Sequence, residues 1–196
     1  LEIDLSAENW PADTDWQRLA ERVVAAAFAV SSHGDLAEAP FTLSISIALS
    51  DNDEVQALNA KWRGKDKPTN VLSFPMLDGE ELAQLTHLRH SREGGNPSPE
   101  PSGKMEAEGM GPRFRGDDEE LGEILLGDLI LAHGICAEEA QEKGIPLAHH
   151  VTHLIVHGTL HLLGFDHIDD LQAEHMEALE VIALASLGLG NPYSDH

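Results

Sequence analysis

Hydrophobic residues recur along the chain at spacings that predict helices alternating with strands. From Pro11 to Ser32 they recur at the helical period, and Thr14 and Gln17 stand at the spacing of a capping box. From Phe41 to Leu49 apolar residues alternate with polar ones, a period of two that indicates a half-buried strand. The chain is therefore expected to begin with a helix that packs one face on a sheet.

A second helix and a short strand follow. The helix is predicted from an N-cap at Ser50 or Asp51 to Gly64. The apolar run Val71 to Phe74 lies between prolines, which favours an edge or terminal strand over a central one. The inward face of the helix is predicted to comprise Val55, Leu58, Asn59 and Trp62.

The sequence of the C-terminal third indicates a further buried segment and three more helices. Gly122 to Ala132 is read as one or two buried strands that turn near Gly127 and Asp128. Helices are predicted from Ile135 to Lys143, from Pro146 to Leu163, and after a cap at Asp169 or Asp170. The inward side of the last helix is predicted to be Leu171, His175, Leu179 and Ile182. The predicted fold class is a single α+β domain, a small sheet covered by about five helices.

Residues 78–120 interrupt this pattern. Residues 93–103 are rich in glycine and proline, and residues 112–120 are charged and turn-rich, so little can be buried. We therefore predict one domain made of residues 1–77 and 121–196, with 78–120 as an inserted, mostly disordered loop. The insertion has either no function, which its composition favours, or serves as an RNA-contacting arm through Arg89, Arg92, Arg113 and Arg115.

The charge of the chain limits its partners. The formal net charge of −23 at pH 7 argues against nonspecific attraction to nucleic acid, which relies on lysine and arginine. Four basic residues nevertheless lie close together, and they offer a polyanion one docking place: Lys61, Arg63, Lys65 and Lys67. The single cysteine, Cys136, excludes an internal disulfide and thiolate zinc clusters. No apolar run approaches the roughly 20 residues that span a bilayer, so a cytoplasmic protein without membrane contact is expected.

Three histidines near the C-terminus carry the strongest chemical signal. His157 and His161 are four residues apart, which on a helix stacks both imidazoles on one face. Gly164 can end that helix in the left-handed conformation, so that the chain turns back and brings His167 to the same place. Three imidazoles with an open fourth position are typical of a catalytic zinc site. His149, His150 and His153 extend the series backwards as surface or supporting histidines.

The spacing of these histidines is also that of the metzincin proteases. Those enzymes carry a glutamate directly after the first histidine as general base, and here Gly158 occupies that position. The metal-binding half of the motif is present without the proteolytic half. A zinc protease therefore requires an acid from elsewhere in the chain.

Three stretches together resemble the YbeY family of rRNA-maturation endoribonucleases. They are Arg63 to Pro75, Leu126 to Ala132, and His157 to His167, and the resemblance covers most of the chain outside the insertion. It implies a zinc-dependent endoribonuclease that cuts single-stranded RNA in 16S rRNA maturation and ribosome quality control. By this resemblance His157, His161 and His167 hold one zinc ion, and Arg63 is the functional arginine of the substrate cleft.

The expected chemistry is attack of zinc-activated water on an RNA phosphodiester. Arg63 would stabilise charge on the phosphate, while Lys61, Lys65 and Lys67 would position the strand. The general base stays unassigned between Asp166 and Asp128, which have structural roles open to them as well. Besides the zinc protease, a noncatalytic ribosome-assembly factor with structural zinc remains an alternative, and its partners would include ribosomal proteins.

Overall fold

The computed structural model describes residues 1–39, 41–93 and 122–194. Within these ranges the strands are β1 (Glu2–Ala7), β2 (Thr42–Ser50), β3 (Val71–Pro75) and β4 (Glu123–Ala132). The α-helices are α1 (Trp16–Val30), α2 (Asn52–Arg63), α3 (Gly79–Glu93), α4 (His133–Glu142), α5 (Leu147–Leu162) and α6 (Asp170–Ser186). The prediction of an α+β domain with a small sheet is confirmed. In the described ranges no helix is long and apolar enough to cross a membrane.

The strands form one mixed sheet in the order β1-β2-β4-β3. Strands β1, β2 and β4 run parallel, and β3 pairs antiparallel with β4 at the edge, as the flanking prolines predicted. Strand β1 was not predicted, although Ile3 and Leu5 alternate with acids and pack against the core. The large core lies between one sheet face and α1, α5 and α6, and a small cluster around Val55 and Leu72 lies beneath α2.

Strand β4 is continuous, so the turn predicted near Gly127 and Asp128 is wrong. Ser44 of β2 pairs with Leu125 and Ile45 pairs with Gly127, which leaves Leu126 as the extra residue of a bulge. Gly127 has φ +151°, and a Cβ placed on it would lie 2.3 Å from the carbonyl oxygen of Phe74. The glycine therefore marks a bulge and a close approach of two backbones rather than a reversal of the chain.

Replacing Gly127 by alanine should lower the free energy of unfolding by about 2–4 kcal/mol, because it combines an unfavourable backbone conformation with overpacking. The measurement is urea denaturation. Gly144→Ala is the matched control, since Gly144 also has positive φ (+64°) but a Cβ placed on it would have no atom within 4 Å. Gly144→Ala should lower the free energy of unfolding by only roughly 1–2 kcal/mol, the cost of placing alanine in a left-handed backbone conformation. Equal losses in both variants would contradict the close approach at Gly127.

Most helix ends follow the sequence signals, but two helix faces do not. Helix α1 is capped by Asp15 and not by the predicted capping box, whereas α2 begins at the Asp51 cap and ends at Gly64 (φ +67°) as predicted. On α2, Trp62 is 62% exposed and is not an inward residue. On α6 the predicted inward residues are mostly exposed, Leu171 by 79%. The buried side of α6 is rotated to Met176, Glu180, Ala183 and Leu184.

The start of the predicted insertion is ordered. Residues 79–93 form α3, where a loop was predicted, because Leu82 and Leu85 bury their side chains against the core. Asp78 begins the helix by accepting hydrogen bonds from the backbone N–H groups of Glu80 and Glu81, each 2.9 Å long. The rest of the predicted insertion, residues 94–120, lies outside the described ranges, and so do Arg113 and Arg115 of the predicted RNA-contacting arm. The other two arginines of that arm, Arg89 and Arg92, belong to the end of α3.

Candidate metal centre

The three predicted histidines meet at the C-terminal end of α5. His157 and His161 lie one turn apart on the helix, and their Nε2 atoms are 3.1 Å from each other. The helix ends where predicted, because Gly164 takes a left-handed conformation (φ +83°) and donates its N–H to the carbonyl of His161. The turn brings His167 back, so that one ring nitrogen of each histidine lies within 4.8 Å of the others.

Hydrogen bonds fix the orientation of the two helical imidazoles. The Nδ1–H of His157 donates to Oε1 of Glu180 over 2.8 Å, and the Nδ1–H of His161 donates to the carbonyl of Phe165 over 3.0 Å. We assign these tautomers because both acceptors lack a proton to give. The Nε2 atoms of His157 and His161 then each carry a lone pair that is free to bind a metal ion.

This donor set fits one zinc ion. Two nitrogens bound tetrahedrally at about 2.0–2.1 Å lie roughly 3.3 Å apart, close to the 3.1 Å between Nε2 of His157 and Nε2 of His161. Metal binding also requires neutral imidazole. Burial, reinforced by repulsion from His157 and His167, lowers the pKa of His161 to about 4. His161 therefore presents an unprotonated ligand atom throughout the neutral range.

Glu180 of α6 supports the site and was not found from the sequence. Its side chain is 1% exposed, and its carboxylate accepts hydrogen bonds from His157, from His153 Nε2 at 2.7 Å, and from the hydroxyl of Tyr193. Burial raises the pKa of the carboxyl group, but these hydrogen bonds outweigh it and lower the pKa to about 2. Glu180 is thus an anion that orients His157. A glutamate between apolar residues of α6 is the signal that could have indicated it.

Glu180→Gln should weaken zinc binding by about 10- to 100-fold, the usual cost of losing a partner that orients a metal ligand. The amide has one acceptor oxygen where the carboxylate has two, so His157 loses its fixed orientation. Competition with a chromophoric chelator measures the affinity. The exposed Glu174 of the same helix provides the control variant Glu174→Gln, which should bind zinc as the unmodified protein does. Unchanged affinity in Glu180→Gln would rule out this orienting role.

A cleft of about 450 Å³ opens beside the three histidines. Arg63 lines the same cleft, and its Nη2 donates to the carbonyl oxygen of Ser73 over 3.3 Å. The structure thus brings Arg63 together with the predicted ligands, although α2 and α5 are far apart in sequence. The predicted substrate-binding lysines do not line the cleft: Lys61, Lys65 and Lys67 are exposed beyond it.

Several other residues considered from the sequence have structural contacts. Asp166 accepts a hydrogen bond from the backbone N–H of His167 over 2.8 Å, so it shapes the turn that carries this histidine. A Cβ on Gly158 would lie 2.7 Å from Leu129 of β4, so this position faces the core. A side chain there cannot serve the cleft. His150 is buried against Glu139, its Nε2 2.6 Å from Oε2, while His153 reaches Glu180.

The fold and the cleft define an α+β protein with a three-histidine site able to hold a metal ion. A family model described as endoribonuclease YbeY matches residues 3–188. The endoribonucleases YbeY of Rhizorhabdus wittichii and Zymomonas mobilis are 46% and 45% identical to this chain. These alignments cover 99% and 100% of this chain and 97% and 93% of the relatives. The chain belongs to the endoribonuclease YbeY family.

Proposed function

We propose that this protein is a zinc-dependent endoribonuclease that cuts single-stranded RNA during 16S rRNA maturation and ribosome quality control. The family is one of nucleases that hydrolyse phosphodiester bonds of RNA. The observation that carries the zinc dependence is the convergence of His157, His161 and His167 in one cleft with Arg63. A cationic site for phosphate thereby adjoins a site for a Lewis acid.

Each candidate site residue has a defined task in this proposal. His157, His161 and His167 would hold one zinc ion, which would act as a Lewis acid and lower the pKa of water toward neutral pH. Arg63 binds the phosphate oxygens through its planar guanidinium and stabilises the charge that grows on them. Beyond the cleft, the three exposed lysines Lys61, Lys65 and Lys67 attract the flanking RNA strand.

The geometry favours this function over its two rivals. A structural zinc site usually closes with four protein ligands, but among the described residues the group contains three. An open position suits a catalytic ion. A zinc protease would need an acid in the role of the missing glutamate, and Gly158 faces Leu129 in the core. The partners follow from the function: rRNA of the small ribosomal subunit, with ribosomal proteins as docking surfaces for the acidic exterior.

The test is cleavage of an end-labelled single-stranded RNA by zinc-loaded protein, compared with chelator-treated protein and with chelator-treated protein given zinc again. We expect cleavage to be lost on chelation and restored by zinc, and duplex RNA of the same sequence to stay intact. His161→Ala purified in parallel exposes contaminating nuclease. Cleavage that survives chelation, or that His161→Ala retains, would contradict the proposal.

A further inference from the structure

Trp62 is the one exposed tryptophan of this chain. The chain has three tryptophans; Trp10 and Trp16 are 8% and 6% exposed and contact each other edge to face, whereas Trp62 is 62% exposed. Its helical spacing from Val55, Leu58 and Asn59 predicted an inward side chain, yet the structure leaves most of the indole in water. Exposure of so large an apolar ring is informative, because tryptophan is among the residues most enriched at binding surfaces.

The ring is nevertheless held in place. Its centroid lies 6.5 Å from that of the half-buried Phe74 of β3, with an angle of 66° between the planes. The ammonium of Lys61 lies 4.7 Å from the centroid of the indole, within the range of a cation–π contact. Trp62 therefore presents an anchored aromatic surface with a positive charge beside it.

This surface adjoins the cleft across the free edge of the sheet. Trp62 contacts Phe74, and the next residue along α2, Arg63, donates to the carbonyl of Ser73. Ser73 and Phe74 are successive residues of the edge strand, so their side chains point to opposite faces of the sheet. Arg63 and Ser73 line the cleft, whereas Trp62 does not line it and lies on the Phe74 side of the strand.

We propose that Trp62 is a stacking platform for a nucleobase of single-stranded RNA as the strand leaves the cleft over the edge of β3. The proposal rests on the proposed function and adds a binding residue to it. Charge identifies the occupant as a polyanion: the Lys61 ammonium lies over the ring, and three more basic residues follow closely in sequence, Arg63, Lys65 and Lys67, in a chain of net charge −23. Aromatic faces flanked by cations are the common means of binding unpaired bases.

The chemistry of the platform determines its selectivity. Stacking uses the π face that every base has, so this contact tolerates any sequence. A base that stacks on the indole displaces the Lys61 ammonium toward the adjacent phosphate. Duplex RNA cannot use the platform because its bases are already stacked on each other, and the platform therefore favours single strands.

The experiment measures binding of a fluorescently labelled oligouridylate to the zinc-free protein, which separates binding from cleavage. Trp62→Leu should bind roughly 5- to 150-fold more weakly, the fold-change that corresponds to loss of one base–aromatic stack. Trp62→Phe, which keeps an aromatic face, should retain most of the affinity. The control is Ile182→Ala on α6, a similarly exposed apolar residue (56%), which should bind as the unmodified protein does.

Two further readouts are specific to stacking. Because Trp10 and Trp16 are buried, quenching of tryptophan fluorescence by the single-stranded oligonucleotide should come from Trp62 and vanish in Trp62→Phe. An abasic oligonucleotide of the same length should bind to the unmodified protein and to Trp62→Leu with equal affinity. Equal affinity of Trp62→Leu and the unmodified protein for the oligouridylate, or no binding by either, would overturn the inference. Trp62-dependent binding without zinc-dependent cleavage would instead sink the proposed nuclease function and leave the platform standing.

Discussion

Replacing His161 by alanine should abolish zinc binding at working concentrations and, with it, RNA cleavage. Structural zinc sites bind with roughly 10–16 kcal/mol in total, so removing one of three imidazole ligands should cost on the order of 10²- to 10⁴-fold in affinity. The ring of His161 contacts both other histidines, with its centroid 4.6 Å from that of His157 and 5.0 Å from that of His167. Zinc stoichiometry after dialysis, measured by atomic absorption, and cleavage of labelled RNA provide the two readouts.

The matched control for this variant is His149→Ala on the same helix. His149 is exposed and lies outside the three-histidine group, so its loss should leave both zinc stoichiometry and cleavage unchanged. Thermal unfolding of the zinc-free forms separates loss of a ligand from loss of the fold. One zinc ion retained per chain in His161→Ala would refute the assignment of this residue as a ligand.

Replacing Arg63 by alanine should reduce kcat for RNA cleavage by about 10²- to 10³-fold, the usual cost of one donor that stabilises transition-state charge. Zinc affinity should not change, because Arg63 is not part of the three-histidine group and its side chain donates to the carbonyl of Ser73. Arg63→Lys should recover only part of the rate, since an ammonium lacks the paired donors that match two phosphate oxygens. Single-turnover kinetics on zinc-loaded protein separate the chemical step from binding.

Arg18→Ala on α1 controls for a general loss of positive charge. Arg18 is exposed and does not line the cleft, so cleavage should proceed at the unmodified rate. The free energy of unfolding of Arg63→Ala should stay within roughly 0.5 kcal/mol of that of the unmodified protein. The reason is that the Arg63 side chain is exposed and makes one long hydrogen bond. If Arg18→Ala lowered the rate of RNA cleavage as much as Arg63→Ala does, the loss would be due to the overall positive charge and not to Arg63 itself.

Much of the candidate metal centre could be predicted because it is local in sequence. The four-residue spacing of His157 and His161, and the conformational freedom of Gly164, depend on backbone geometry that one helix and its terminus supply. The edge position of β3 could be predicted for a similar reason, since proline cannot donate to a ladder. By contrast, α3 was missed because Leu82 and Leu85, which are buried, sit in a segment dominated by charged and polar residues.

The sequence by itself thus determined which residues could hold a metal ion and where the main helices and strands run, apart from β1 and α3. The tertiary structure alone decided which partners surround them. Glu180 reaches His157 only because α6 packs with a rotated face against α5, and Arg63 enters the cleft because α2 lies along the edge strand β3. Trp62 is exposed for the same reason: the orientation of a helix is set by everything it packs against, and periodicity along one segment does not contain that information.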